Sequence, residues 1–318
     1  QMQLAAKQEN AHKYQSYRGA DELREAFADF YQRKFQVEVN PATEILPLLG
    51  SKEGIMHISM AFLNEGDEVL IPNPGYPTYT SVTKLVGAKP VFYELKEEQE
   101  WQPNFHELEK QDLSKVKMMW LNYPHMPTGV KANQHLFHDA IAFAKKHDIL
   151  LINDNPYSFI LNDHPESLLA YSGAKEVGLE LNSVSKTFNM AGWRVGAVLG
   201  SGENLQHILK VKSNMDSGMF LPLQLGEFPV KFSAFDGILS RICQKFPSDP
   251  IFSLILRNPQ VKNFHSGVKK KEALSRPNKL SLKQKPYCDF RCSKAILCLI
   301  ITACSRTLSW VVLLSALT

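Results

Sequence analysis

The chain has 318 residues, 44% of them apolar and 21% charged, a globular composition that leaves room for one large core or two domains and excludes fibrous and low-complexity classes. Its formal net charge of +4 is unevenly spread: residues 1–224 hold 21 Lys and Arg against 27 Asp and Glu, whereas residues 225–318 hold 15 against 5. All five cysteines, Cys243, Cys288, Cys292, Cys298 and Cys304, fall in the second stretch, so the first has no disulfide framework and suits a reducing, cytoplasmic compartment. No basic segment followed by an apolar one opens the chain, so no signal peptide is expected. Residues 295–318 are apolar, but Arg306 interrupts them, and a charge at mid-bilayer costs about 2.5–3.5 kcal/mol, so a membrane span is not expected either.

In chain order, a helix is expected from Asp21, an acceptable N-cap, with Leu23, Phe27 and Phe30 on one face. Residues 44–49 form an apolar run, and Gly50-Ser51-Lys52-Glu53-Gly54 opens a helix to about residue 64. A short buried strand over 68–72 is followed by a Pro74-Gly75-Tyr76-Pro77-Thr78-Tyr79 turn. Strands follow over 89–95 and 116–122, then a helix over 133–146, a strand over 149–153 and an apolar run over 178–184. A strand to Gly200 and a helix over 203–216 complete the pattern. Strand–helix–strand alternation with apolar strands argues for an α/β fold with a mostly parallel, doubly wound sheet in three layers, and places ligands at the carboxyl ends of the strands.

Chemistry concentrates where the 178–184 run ends. Ser183-Val184-Ser185-Lys186 is followed eight residues after the lysine by Arg194, within Gly192-Trp193-Arg194-Val195-Gly196. This arrangement suits a phosphorylated aldehyde cofactor: the lysine amine can form a Schiff base while Ser183, Ser185 and Arg194 hold a phosphate. Lys186 alone would be an ordinary solvated residue. Ser51 and Lys52, at a helix N-terminus with free N–H groups, make either an anion site or a simple cap. His125 reads as a loop residue, since no carboxylate or second histidine stands near it in metal-ligand spacing, and no metal set is assigned.

The full string Ser-x-Ser-Lys then Gly-Trp-Arg-x-Gly resembles the cofactor-lysine signature of class I/II aminotransferases, the fold-type-I enzymes that use pyridoxal 5'-phosphate. Further motifs of that family occur in the expected order over residues 12–224. In Tyr14-x4-Gly19-x3-Leu23-Arg24 the resemblance implies that the tyrosine reaches the partner's cofactor phosphate across a homodimer interface. It implies a second phosphate contact from Ser51 and Lys52, ring stacking by Tyr76, and Asp154 beside the pyridine nitrogen, with Tyr157 donating to the phenolic oxygen. Asp154 lies 32 residues before Lys186 and otherwise reads as a cap. The loop Asn122-Tyr123-Pro124-His125-Met126-Pro127-Thr128-Gly129 departs from the family's Asn-x-Pro-x-Asn-Pro-Thr-Gly: Met126 has no donor where an amide is usual.

The resemblance divides the chain into a truncated N-terminal segment (1–13), a cofactor-binding large domain (14–224) and an unassigned segment (225–318), poorly ordered and open to protease near 225–230. It implies transamination between an amino acid and a 2-oxo acid, with Lys186 as catalytic acid/base and neither nucleic acid nor membrane as partner. A lyase or racemase of the same fold, or a non-catalytic cofactor-binding fragment, are the alternatives. The family's arginine for the substrate carboxylate cannot be placed among Arg241, Arg257, Arg276, Arg291 and Arg306, so the substrate is not readable and weak turnover is expected.

Overall fold

Among the described residues, seven segments pair into one sheet in the order β1-β7-β6-β5-β4-β2-β3. They are β1 (Ile45–Leu48), β2 (Glu68–Asn73), β3 (Lys89–Glu94), β4 (Val116–Leu121), β5 (Leu150–Asp154), β6 (Gly178–Ser183) and β7 (Gly196–Gly200). The computed structural model describes residues 2–133, 135–160 and 162–226. The five strands from β3 to β6 run parallel, while β7 is antiparallel to both β6 and β1. A parallel return needs a crossover of a dozen or more residues, usually a helix across one face. The link from β6 to β7 contains only a single helical turn, Val184–Thr187, and a 3₁₀ turn, Ala191–Trp193, so the chain doubles back as a wide hairpin.

Both faces of the sheet are covered, which is why the central strands are apolar on successive residues rather than on alternate ones. Leu151 and Met119 point into one core, closed by Leu23, Phe27 and Tyr31 of the Asp21–Phe35 helix and by Phe137 and Ala140 of the Leu136–His147 helix. Ile152 and Met118 point into the other, closed by Ile55 and Ile58 of the Ser51–Phe62 helix, Val82 of the Pro77–Leu85 helix and Ile208 of the Gly202–Lys212 helix. The three-layer α/β/α arrangement expected from the alternation is therefore present.

Element ends differ from expectation for local reasons. Asp21 is the first helical residue rather than the cap: the Ala20 carbonyl accepts from Arg24 N, and Asp21 pairs with the Arg24 guanidinium. Asn133 is not helical, because its side chain accepts from Leu136 N at 2.8 Å and so holds the turn before a helix that starts three residues later than expected. Pro77 leaves the expected turn and opens a helix, a position where a missing N–H costs nothing. The helix expected to run to residue 64 ends at Phe62 as Leu63 turns extended, and the one expected to end at 216 stops at Lys212. The expectations for residues beyond 226, namely the apolar stretch 295–318, the arginines from Arg241 onward and the poorly ordered segment, lie outside the described residues. No helix among the described residues is long and apolar enough to cross a membrane.

One buried charge ties the layers together. Glu180, in the middle of β6, is fully buried and accepts four hydrogen bonds. Tyr31 Oη and Ser167 Oγ donate to Oε1 at 2.8 Å each, while Leu168 N and Asn153 Nδ2 donate to Oε2 at 2.8 and 3.2 Å. Burial raises the Glu180 pKa and these donors pull it back down. Deleting the carboxylate would strand four donors, whereas deleting one donor leaves three, and each buried unsatisfied group costs about 1–3 kcal/mol. Glu180→Ala is therefore expected to lower unfolding free energy by more than about 3 kcal/mol and Tyr31→Phe by about 1–2 kcal/mol, measured by denaturant titration at neutral pH.

Candidate functional site

At the carboxyl ends of β2, β4, β5 and β6 the loops enclose a cavity of about 300 Å³. Ser51, Lys52, Tyr76, Asp154, Tyr157, Ser183, Ser185, Lys186 and Arg194 all line it. Segments more than 140 residues apart in sequence thus converge on one volume, as parallel strands ending along one edge require. Tyr14 stands apart: its surface is 89% exposed, and it lines a separate hollow with Gln15 and residues 217–220.

Asp154 closes β5 and forms the floor. It is 4% exposed, Tyr79 Oη donates to its Oδ2 at 2.8 Å, and its Oδ1 has no hydrogen-bond partner among the described residues. Burial raises its pKa to about 6 against the opposing pull of the Tyr79 hydrogen bond. Tyr79 itself, stacked on Trp120 at 4.8 Å with an interplanar angle of 8°, is pushed well above the ordinary phenol by burial and by the Asp154 charge, so it stays a donor. Sequence reasoning missed Tyr79; the signal was a second tyrosine three residues after Tyr76, on the same face of the helix that Pro77 opens. It also gave no task to Asn122, which lines the cavity, donates from Nδ2 to the Asp154 carbonyl at 2.6 Å and accepts from Met126 N at 2.9 Å.

The rest of the lining is rich in donors and positive charge. Ser51 and Lys52 open a twelve-residue helix whose first N–H groups have no intrahelical partner. Ser183 ends β6, and Ser185 and Lys186 sit in the following turn, with the Lys186 side chain exposed. Arg194 adopts a left-handed backbone, φ 55°, and its guanidinium reaches back, Nη1 donating to Ala191 O at 2.8 Å and Nη2 to Leu49 O at 3.1 Å. Gly50 makes this approach possible: at φ 89° it lies where side chains are strained, and a Cβ there would stand 2.3 Å from Arg194 Nη2.

Two residues of the variant loop complete the picture. Met126 lines the cavity and offers no side-chain donor to it. His125 does not line it; it is 2% exposed, its Nδ1 pairs with Thr128 Oγ1 at 2.8 Å, and burial pushes its pKa down to about 4, so at neutral pH it is an uncharged structural group. Tyr157, half-buried in the lining, has its phenol pKa raised by burial and by the nearby Asp154 and Tyr76, which keeps it a donor at neutral pH.

Comparison with known proteins shows the family. The chain is 47% identical over 216 residues to LL-diaminopimelate aminotransferase of Natranaerobius thermophilus, covering 67% of this chain and 56% of that protein. It is 43% identical over 223 residues to the LL-diaminopimelate aminotransferase of Dehalococcoides mccartyi strain 195, covering 70% and 58%. The chain thus spans a little over half the length of these curated relatives. Among solved structures, substrate-bound BacF from Bacillus subtilis superposes with a TM-score of 0.72 at 38% identity, over 77% of this chain and 63% of that one. The family model "Aminotransferase class I and II" matches residues 1–225, the part that carries every lining residue of the cavity, and the chain belongs to that family.

Proposed function

We propose that the chain is the cofactor-binding part of a pyridoxal-phosphate-dependent aminotransferase that moves an amino group between an amino acid and a 2-oxo acid, with LL-diaminopimelate as the amino acid. The observation that carries this is the pairing, in one cavity, of Lys186 with a buried carboxylate that has one oxygen unpartnered. Pyridoxal phosphate fits both ends: its pyridine N–H supplies the donor that Asp154 Oδ1 lacks, and its phosphate meets the donors of Ser51, Lys52, Ser183, Ser185 and Arg194 beside the glycine that leaves them room. The names of the relatives support LL-diaminopimelate as the substrate, and the lyase alternative draws no support from them.

When bound, the cofactor supplies an electron sink that acidifies the amino acid's Cα–H. Lys186 would hold the cofactor through its amine, and its Nζ would take that proton and return it. Asp154 keeps the pyridine nitrogen protonated, Tyr79 and Asn122 fix the orientation of Asp154, and Tyr76 covers the ring. Tyr157 donates to the phenolic oxygen, a task left to it because Met126 cannot share it. A cytoplasmic homodimer is part of the proposal: the exposed Tyr14 is free to reach a second subunit, and residues 1–224 hold no cysteine.

The proposal is tested by incubating the full chain with LL-diaminopimelate, pyridoxal phosphate and 2-oxoglutarate and following glutamate, against other amino donors. Lys186→Ala is expected to abolish both glutamate formation and the visible band of lysine-bound pyridoxal phosphate; a band unchanged in the variant contradicts the assignment.

Asp154 gives a second, pH-resolved expectation. Because its folded pKa of about 6 lies above the ordinary 3.8, the folded state holds an extra proton between these values, and cofactor-free stability contributed by this group falls as pH rises through that window. Above it, the ionised carboxylate costs roughly 3 kcal/mol at 1.36 kcal/mol per unit. Asp154→Asn should therefore unfold at higher temperature than wild type at pH 8 when cofactor-free, with a smaller gap at pH 5. The same variant, loaded with cofactor, should lose turnover on the order of 10²-fold. A cofactor-free stability gap independent of pH would contradict the buried charge.

A further inference from the structure

Glu53 and His57 stand one helical turn apart on the Ser51–Phe62 helix, outside the cavity lining, and the Asp216 carboxylate meets them from the turn after the Gly202–Lys212 helix. One ligand atom from each of the three lies within 4.8 Å of the other two. His57 is 2% exposed, and neither ring nitrogen has a hydrogen-bond partner among the described residues. Its Nε2 is 3.3 Å from Glu53 Oε1, close in space yet not in hydrogen-bonding geometry. A buried imidazole left unpaired beside two carboxylates is costly unless something accepts its lone pair.

We propose that Glu53, His57 and Asp216 bind a single divalent transition-metal ion of the zinc type. Ligand bonds of about 2.0–2.2 Å in tetrahedral geometry put neighbouring nitrogen and oxygen ligands about 3.4 Å apart, which is the His57–Glu53 separation observed. One imidazole and two carboxylates with the fourth position left to water form a donor set for zinc, cobalt or manganese rather than calcium. The supports of the ligands are in place. Glu53 turns Oε1 toward His57 because its Oε2 accepts from Leu49 N. Asp216 is gripped by the buried Lys212 ammonium, 2.9 and 2.7 Å from its two oxygens, and by Gly218 N at 2.7 Å. The ammonium offsets one of the two carboxylate charges, so the ion shares Asp216 with Lys212 and faces a net charge of −1 rather than −2. Leu49 links this cluster to the cavity, its N–H donating to Glu53 Oε2 and its carbonyl accepting from Arg194 Nη2.

This site stands apart from the aminotransferase reading, and so does its test. The full chain is treated with iodoacetamide to block its five cysteines and titrated with cobalt(II) alone. The expected result is one equivalent of bound ion with the visible absorption of nitrogen and oxygen ligation, displaced by zinc(II). Glu53→Gln and His57→Gln, each near-isosteric and checked for folding by circular dichroism, should each weaken cobalt binding more than about tenfold. If one variant fails to fold, the other decides. No uptake by the alkylated wild-type chain, or uptake unchanged in a folded variant, would overturn the assignment.

Discussion

Parallel strands place all their carboxyl ends along one edge of a sheet, and the candidate site of this chain follows from that constraint. Tyr76 follows β2, Asn122 follows β4, Asp154 ends β5 and Ser183 ends β6, so four loops that share no sequence neighbourhood deliver side chains to one volume. The exception makes the site work. Because β7 returns antiparallel, the link between β6 and β7 stays at that same edge and carries Lys186 and Arg194 across the cavity mouth rather than over a face of the sheet.

Two buried carboxylates sit on adjacent central strands and are treated in opposite ways. Glu180 receives four donors and is a structural knot joining a helix, β5 and the turn at Ser167. Asp154 receives one side-chain donor and keeps an open oxygen at the cavity. Full satisfaction rigidifies, whereas a deficit in a polar cavity marks where a ligand's donor belongs. The contrast separates structure from function without appeal to any relative.

Much of this was legible in the sequence. The strands were, because apolar runs of five or six residues bounded by Gly, Pro and Asn have few other readings, and the lining residues were, because they sit in short strings whose residue types fit one chemistry. What was not legible is relational. Asp21 looks like a cap, yet the register of the first hydrogen bond, from Arg24 N to Ala20 O, moves the cap by one residue. Glu180 stands in a run, Gly178 to Ser183, that is otherwise apolar or short-chained, and its oddness was visible, but its partners come from residues 31, 153, 167 and 168. Tyr79 and Glu53 likewise acquire their meaning only from what the fold sets opposite them.

Ser51 and Arg194 meet at the corner of the sheet where β1 pairs with β7, the least local pairing among the described strands. Leu46 pairs with Val198 and Ile45 with Leu199, partners about 150 residues apart, whereas β2 and β3 pair about 20 residues apart. Closing a loop of about 150 residues rather than about 20 adds about 2 kcal/mol of entropic cost that must be met before any contact repays it. Ser51 and Arg194 become neighbours only once this corner has zipped. A ribosome-bound chain that has not yet released β7 can hold Tyr76, Asp154 and a partial sheet but lacks the β1–β7 corner that brings Ser51 and Arg194 to one cavity, so the cavity is complete only when the sheet is.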